Sequence, residues 1–309
     1  MLLEAGKPGR TVLGNPSIPT GSLTGPTAAA AAGVCVLWGS GWLLVKMTLS
    51  SFPPCIFAGL RGFLAGVFFL VFARWRGLGQ PSKGQLKTMF AIGLLMAGVS
   101  NGLTFWGQKY LAASHAALLF ASMPFFAAIF GHLFLRGERI TLWRLAGLAI
   151  GFGGVWLVLR DRFHGLAAEG LLSQMALIGA SVTWALGLVL NKLLLKGANS
   201  TVMTGVQLFA GSLFLLLVSG VMGESWSDVQ ISPQSISLFL VTLIGQGCIA
   251  YLLYYWVMVR VSPTILALTS FVSPTIAAVL GVLILDEPGS WQMGVGLLAI
   301  GMGILIVNR

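Results

Sequence analysis

Charge is the first thing this 309-residue chain has little of: Asp, Glu, Lys and Arg make up 8% of it, against roughly 25% in an ordinary soluble domain. Acid is scarcer still, with 8 carboxylates set against 18 Lys and Arg. A water-soluble fold with a charged shell is excluded. Cys35, Cys55 and Cys248 sit in or beside apolar runs without paired or metal-ligand spacing, so neither a disulfide framework nor a zinc module is expected. They read as free packing residues. His115 and His132 are the two histidines in apolar runs; on one straight helix they stand roughly 25 Å apart at 1.5 Å per residue, too far to share a metal. No nucleophile, metal set or acid–base pair gathers at one depth elsewhere, which argues against a membrane-embedded enzyme. No catalytic residue, cofactor or metal is expected.

What the chain has instead is apolar length: 57% of it is hydrophobic, and another 41 residues are glycine. A helix crossing a bilayer needs about 20 apolar residues. Runs bounded by charge, Gly or Pro lie near 28–49, 54–73, 88–107, 114–135 and 143–160, then near 170–191, 201–222, 235–257, 263–285 and 290–307. The expected fold is an all-α polytopic membrane protein of ten transmembrane helices, with no sizeable soluble domain. Residues 1–27 are rich in Gly, Pro, Ser and Thr and lack a basic-then-apolar signal with a cleavage site, so they read as a disordered tail.

Orientation follows from Lys and Arg in alternate connections. Thirteen fall on the side that holds both ends of the chain, four on the other, and Arg61 lies inside a span. Both termini are therefore expected in the cytoplasm. The same rule accounts for the net charge of +10, so the expected partners are the lipid bilayer and a small-molecule substrate, not nucleic acid. The chain is expected to act as a monomer or weak homodimer.

The second half overlays the first. At an offset of 146, Trp38 meets Trp184, Gly41 meets Gly187, Lys46 meets Lys192, Gly59 meets Gly205 and Arg61 meets Gln207. At 150, Asn101 meets Tyr251, Trp106 meets Trp256, Pro124 meets Pro274 and Gly131 meets Gly281. At 149, Glu138 meets Glu287, Gly147 meets Gly296 and Gly154 meets Gly303. Residues 28–160 and 170–307 thus form two repeats of five spans each. An odd number starts the second copy from the opposite face, so the repeats are expected to be inverted, a construction that gives secondary transporters two states of similar energy. A duplicated bundle with no transport role is the plainer alternative.

At this point the residues resemble a family. Leu37-Trp38-Gly39-Ser40-Gly41 running to Lys46, then Ala112-Ala113-Ser114-His115-Ala116-Ala117-Leu118-Leu119, Pro124 and Leu135-Arg136-Gly137-Glu138-Arg139, are similar to the EamA-type transporters of the drug/metabolite transporter superfamily. The second copy supplies Val261-Ser262-Pro263-Thr264, Pro274 and Leu285-Asp286-Glu287. The resemblance implies a ten-helix inner-membrane carrier with both termini inside, and members often export amino acids or other small metabolites. It does not carry a substrate over, and His115 departs from the small residue more usual there.

The acidic residues all fall in tails, loops or span ends, which disfavours a cationic-drug antiporter, since such exporters commonly need an embedded carboxylate. Arg61 lies inside its span, where an unpaired guanidinium costs several kcal/mol unless it meets a cavity, carbonyls or an anion. It is a candidate partner for a carboxylate or phosphate; the alternative is bonding to helix-end carbonyls near the outer interface. Lys46 and Lys192 are expected to snorkel to opposite interfaces. Pro124 and Pro274 each remove a backbone donor and are expected to break two related helices near mid-depth, beside Ser122, Ser270, Ser273 and Thr275, or simply to kink them for packing. Asn101, Gln207 and Gln246 place amides in apolar spans.

With Trp38, Trp106, Trp184, Tyr251, Tyr254 and Tyr255 these amides suit a cavity of aromatic walls and a few polar groups, although aromatics also populate interfacial belts and amides also join helices. The candidate substrate residues are Trp38, Arg61, Asn101, Trp184, Gln207, Gln246, Tyr251 and Ser270. Gly62/Gly66, Gly98/Gly102 and Gly147/Gly151 are spaced for close helix contact. The expected function is a secondary carrier exporting small polar metabolites, amino acids foremost; another anionic or zwitterionic metabolite, and a scaffold subunit without transport, are the alternatives.

Overall fold

The computed structural model describes residues 25–111, 113–135, 137–159, 170–285 and 291–307. They form helices α1 (Gly25–Thr48), α2 (Pro54–Trp75), α3 (Lys83–Gly93), α4 (Asn101–Tyr110), α5 (Ala113–Phe120), α6 (Met123–Phe134), α7 (Leu142–Leu159), α8 (Gly170–Leu194), α9 (Ser200–Val221), α10 (Pro233–Val241), α11 (Tyr251–Met258), α12 (Pro263–Ala267), α13 (Thr269–Leu285) and α14 (Trp291–Val307). Two π-helical segments, Leu94–Ser100 and Thr242–Ala250, join α3 to α4 and α10 to α11. Among the described residues, seven helical stretches are long and apolar enough to cross a membrane, Lys83–Tyr110 and Pro233–Met258 among them, and three shorter apolar helices accompany them. The chain is a multi-pass membrane protein.

Local sequence explains where the helices start. In a bilayer every backbone polar group needs an internal partner, and proline stands in the first turn of α2, α6, α10 and α12, where its missing N–H costs nothing. Ser82 with Gln85, and Ser232 with Ser235, close capping boxes at the starts of α3 and α10. At α2 the first free N–H groups, those of Cys55 and Ile56, donate to the Glu224 carboxylate at 3.0 and 2.9 Å. That acid sits at the positive end of a helix dipole.

The two lysines do not simply reach for an interface. Lys46 Nζ donates to the carbonyls of Gln108 and Lys109 at 2.9 and 2.8 Å, at the end of α4. Lys192 Nζ donates to those of Val259 and Val261 at 3.3 and 2.9 Å, just past the end of α11. Each ammonium thus serves the orphan carbonyls and negative dipole of a neighbouring helix end.

Helices meet where glycine lets them. A Cβ on Gly59 would lie 2.8 Å from Leu216, and one on Gly205 would lie 3.1 Å from Leu70. On Gly147 it would meet the Gly303 carbonyl at 2.9 Å, and on Gly154 the Gly296 carbonyl at 2.7 Å. α2 therefore packs on α9, and α7 on α14, with backbones close enough to exclude a methyl group.

The two expected proline breaks behave differently. α5 gives way to α6 through a turn at Ala121 and Ser122, with Pro124 in the first turn that follows. Pro274, by contrast, lies inside α13, and the second interruption is at Leu268. Hydroxyls explain the displacement: Thr269 and Ser270 donate to the carbonyls of Leu266 and Ala267, both at 2.8 Å, and so satisfy the end of α12. Thr275 donates to Phe271 O at 3.1 Å beside the proline.

Candidate functional site

A cavity of about 100 Å³ opens among α1, α2, the two π-joined stretches, α5, α6, α8 and α13. α1 lines it from its middle to its C-terminal end with Val34, Cys35, Trp38, Gly41, Trp42 and Val45, and α4 lines it from its first residue to near its end with Asn101, Thr104, Phe105 and Gln108. The cavity therefore runs from mid-bundle towards the end where α1 and α4 terminate. Trp38, Arg61, Asn101, Trp184, Gln246, Tyr251 and Ser270 all line it. Seven of the eight candidate residues, from both halves of the chain, are thus brought together; Gln207 is not.

Aromatic rings make the walls and floor. Trp38 contacts Trp184 edge-on with centroids 5.8 Å apart, Tyr251 at 5.5 Å and Tyr254 at 4.8 Å. Their polar atoms are largely engaged with one another. Asn101 Nδ2 donates to Tyr251 OH at 3.0 Å, Trp184 Nε1 to Tyr254 OH at 2.8 Å, and Trp42 Nε1 to Ser273 Oγ at 3.2 Å. Gln108 Nε2 donates to the Trp42 carbonyl.

Arg61 is 5% exposed, and among the described residues its hydrogen-bond partner is the Gln246 amide and not a helix-end carbonyl. Its Nη1 donates to Gln246 Oε1 at 3.2 Å, and its guanidinium lies 4.8 Å from the Phe105 ring centroid and 5.4 Å from that of Phe57. Stacking on two rings offsets part of the cost of burying the charge. Across the same spot, a Cβ on Gly41 would lie 2.7 to 2.9 Å from the whole Gln246 amide. Glycine is needed there for the amide to stand against α1.

Gln207 belongs to a packed layer beyond the aromatic floor. It accepts from Tyr255 OH and donates to Asn191 Oδ1 at 2.6 Å. Tyr254, Tyr255, Met258, Ile265 and Leu266 fill this side of the bundle, each 6% exposed or less. Trp106 meets Tyr110 edge-on and is not among the lining residues. Sequence reasoning missed Gly41, Trp42, Thr104, Phe105 and Gln108 as lining residues. Helical spacing was the available signal: Trp38, Gly41, Trp42 and Val45 follow the 3.6-residue period of one face.

Glu138 was assigned only to a span end; it is 8% exposed, pairs with Arg144 at 3.1 Å and accepts from Thr264 Oγ1 at 3.2 Å, joining the α6–α7 connection to α12. Asp286 and Glu287 of the second copy lie outside the described residues.

The family model of the EamA-like transporter family matches residues 26–160 and again residues 171–309. The uncharacterized transporter YvbV of Bacillus subtilis is 30% identical over 286 residues, covering 91% of each chain. The uncharacterized inner membrane transporter YedA of Escherichia coli is 28% identical over 262 residues, covering 83% of this chain and 82% of its own. A probable amino-acid metabolite efflux pump of E. coli is 26% identical over 289 residues, covering 88% and 91%. A solved crystal structure superposes with a TM-score of 0.75 at 20% identity, over 91% of this chain and 95% of the other, a likeness of fold alone.

Proposed function

The chain belongs to the EamA-like transporter family, and from that premise we propose that it is a secondary carrier that exports small polar metabolites, amino acids foremost, across the inner membrane by alternating access. The observation that carries this reading is the cavity itself. It is central, walled by aromatic rings, supplied with a few polar groups, and built from both halves of the chain, as small-ligand sites in transporters of repeated architecture are. The amino-acid part of the reading draws on the relative named as a probable amino-acid metabolite efflux pump. Another anionic or zwitterionic metabolite is the second reading, favoured by Arg61, the one cation among the described lining residues.

The architecture we propose is ten spans in two inverted five-helix repeats with both termini cytoplasmic. Contacts that return on themselves support it. Gly59 meets Leu216 as Gly205 meets Leu70, Gly147 meets Gly303 as Gly154 meets Gly296, and each lysine of the pair Lys46/Lys192 serves a related helix end. Reciprocal pairs of this kind are what a two-fold axis produces. With the termini inside, the cavity opens outward and the packed layer of Gln207, Tyr254 and Tyr255 closes the inner side.

Transport by the purified chain alone tests the proposal. Proteoliposomes loaded with unlabelled amino acids are expected to take up the labelled compound by exchange, above empty liposomes. A chain that serves only as a scaffold gives no exchange with any member of a broad metabolite panel.

A further inference from the structure

We propose that Arg61 and Gln246 together form a two-donor clamp for one carboxylate, so that the cargo is a small monocarboxylic acid with a planar apolar body, whose amino group, where it has one, takes no part in recognition. The proposal rests on the carrier reading above and narrows it.

The first observation is an orphan. Gln246 is 4% exposed, and its Nε2 is a buried donor without a hydrogen-bond partner. Turning the amide over does not help, because that would set an N–H group against the Arg61 guanidinium and leave the oxygen stranded. Arg61 thus fixes Oε1 towards itself and leaves Nε2 presented beside the cavity. A buried amide donor without an acceptor is costly, and the neighbouring candidates are already engaged: Asn101 with Tyr251, Gln108 with Trp42, Trp42 with Ser273. The missing acceptor is one that arrives with a ligand. A guanidinium and an amide N–H side by side match the two oxygens of a carboxylate.

The second observation is that the fold does not need this pair. At the offsets that relate the halves, Arg61 corresponds to Gln207 and Gln246 to Met96. Gly187, the counterpart of Gly41, meets Met96 just as Gly41 meets Gln246, and Gln207 is held by Tyr255, the counterpart of the Phe105 on which Arg61 rests. This related site, which also draws one partner from each repeat, performs the same packing with neutral groups. Charge and orphan donor are confined to the one of the two related sites that faces the cavity, which assigns them to a ligand rather than to architecture.

The rest of the wall sets the remainder of the cargo. Trp38, Trp184, Tyr251 and Phe105 offer ring faces and edges, and none of the described lining residues is Asp or Glu. An ammonium group therefore finds no carboxylate there, whereas a flat apolar body finds stacking partners.

The test measures binding of three compounds to the purified full chain by calorimetry: phenylalanine, 3-phenylpropionate, which lacks the amine, and phenethylamine, which lacks the carboxylate. The acid is expected to bind within about threefold of the amino acid, and the amine at least roughly tenfold more weakly. Two variants borrow the related site's own residues, so their packing is already precedented: Arg61→Gln and Gln246→Met. Each is expected to weaken the acid about tenfold or more while melting temperature holds, and Gly41→Ala to do the same by pushing the amide aside. An amine that binds as well as the acid, or an acid indifferent to both variants in folded protein, overturns the clamp and leaves the carrier standing. Failure of all three compounds to bind overturns the substrate class, and the carrier reading is then judged by two-sided labelling of the cavity, which needs no ligand.

Discussion

Arg61 shows what a single residue can and cannot reveal in a sequence. Its position inside an apolar run announces a charge that must be compensated, and that much was legible. Its partners were not, because Gln246 lies 185 positions away and the two rings beneath the guanidinium come from different helices. Candidates with symmetry partners were the most readable: Trp38 and Trp184, and Asn101 and Tyr251, overlay in sequence and touch in the structure. Gln207 was misplaced for the same reason, since an overlay on Arg61 cannot tell which of two related sites is open.

The residue-level prediction separates binding from stability. Arg61→Gln removes a buried charge that has no carboxylate among the described lining residues, so the melting temperature is expected to stay level or rise. Ligand binding is expected to weaken by about 1.5 to 3 kcal/mol, the worth of a charge-assisted hydrogen bond. Thermal unfolding and calorimetry on one preparation check both signs.

At the scale of elements, glycine and helix ends carry the account. A side chain at Gly154 would press on the Gly296 carbonyl and the Ile300 N–H at 2.7 and 2.9 Å, and backbone has nowhere to retreat. Gly154→Val is expected to cost about 1 to 3 kcal/mol as overpacking. Gly153 meets nothing within 4 Å of a built Cβ, so Gly153→Ala is expected to be neutral or to gain up to about 1 kcal/mol from helix propensity. Denaturation in detergent distinguishes the two. Glu224→Gln takes a full charge from the start of α2 and is expected to cost about 1 kcal/mol, read as a lowered melting temperature.

Element boundaries were readable where apolar runs met charge or proline, as at Pro54 and Pro233. The π-helical segments were not, because they change backbone pairing without changing hydrophobicity. They fall in related places, immediately before Asn101 and Tyr251, and such bulges often mark functional sites. The interruption at Leu268 escaped for another reason: it is set by the hydroxyls of Thr269 and Ser270 bonding back to carbonyls, a choice that serine and threonine make only in context.

At the scale of the molecule, the account depends on asymmetry within a repeated chain. Of two related sites, each built from both repeats, one presents Arg61, Gln246 and the end of α4 to a cavity, while the corresponding Gln207, Met96 and Met258 are packed away. If the halves exchange environments, the opposite side opens as this one closes, and a two-fold related pair of states follows from the sequence overlay. The lysine pair is expected to hold through that exchange, since each bonds a helix end within its own half.

Alternating exposure of the cavity is the central claim, and thiol labelling from the two faces measures it most directly. In a chain with Cys35, Cys55 and Cys248 replaced, single cysteines at Thr104 and Ser270, both lining the cavity, are treated with a membrane-impermeant reagent in oriented vesicles of each sidedness. The account predicts that Ser270→Cys reacts from both faces, that Thr104→Cys reacts from the outside, and that a bound carboxylic acid slows both reactions. Labelling of Ser270→Cys from one face only, in vesicles that still transport, would contradict it.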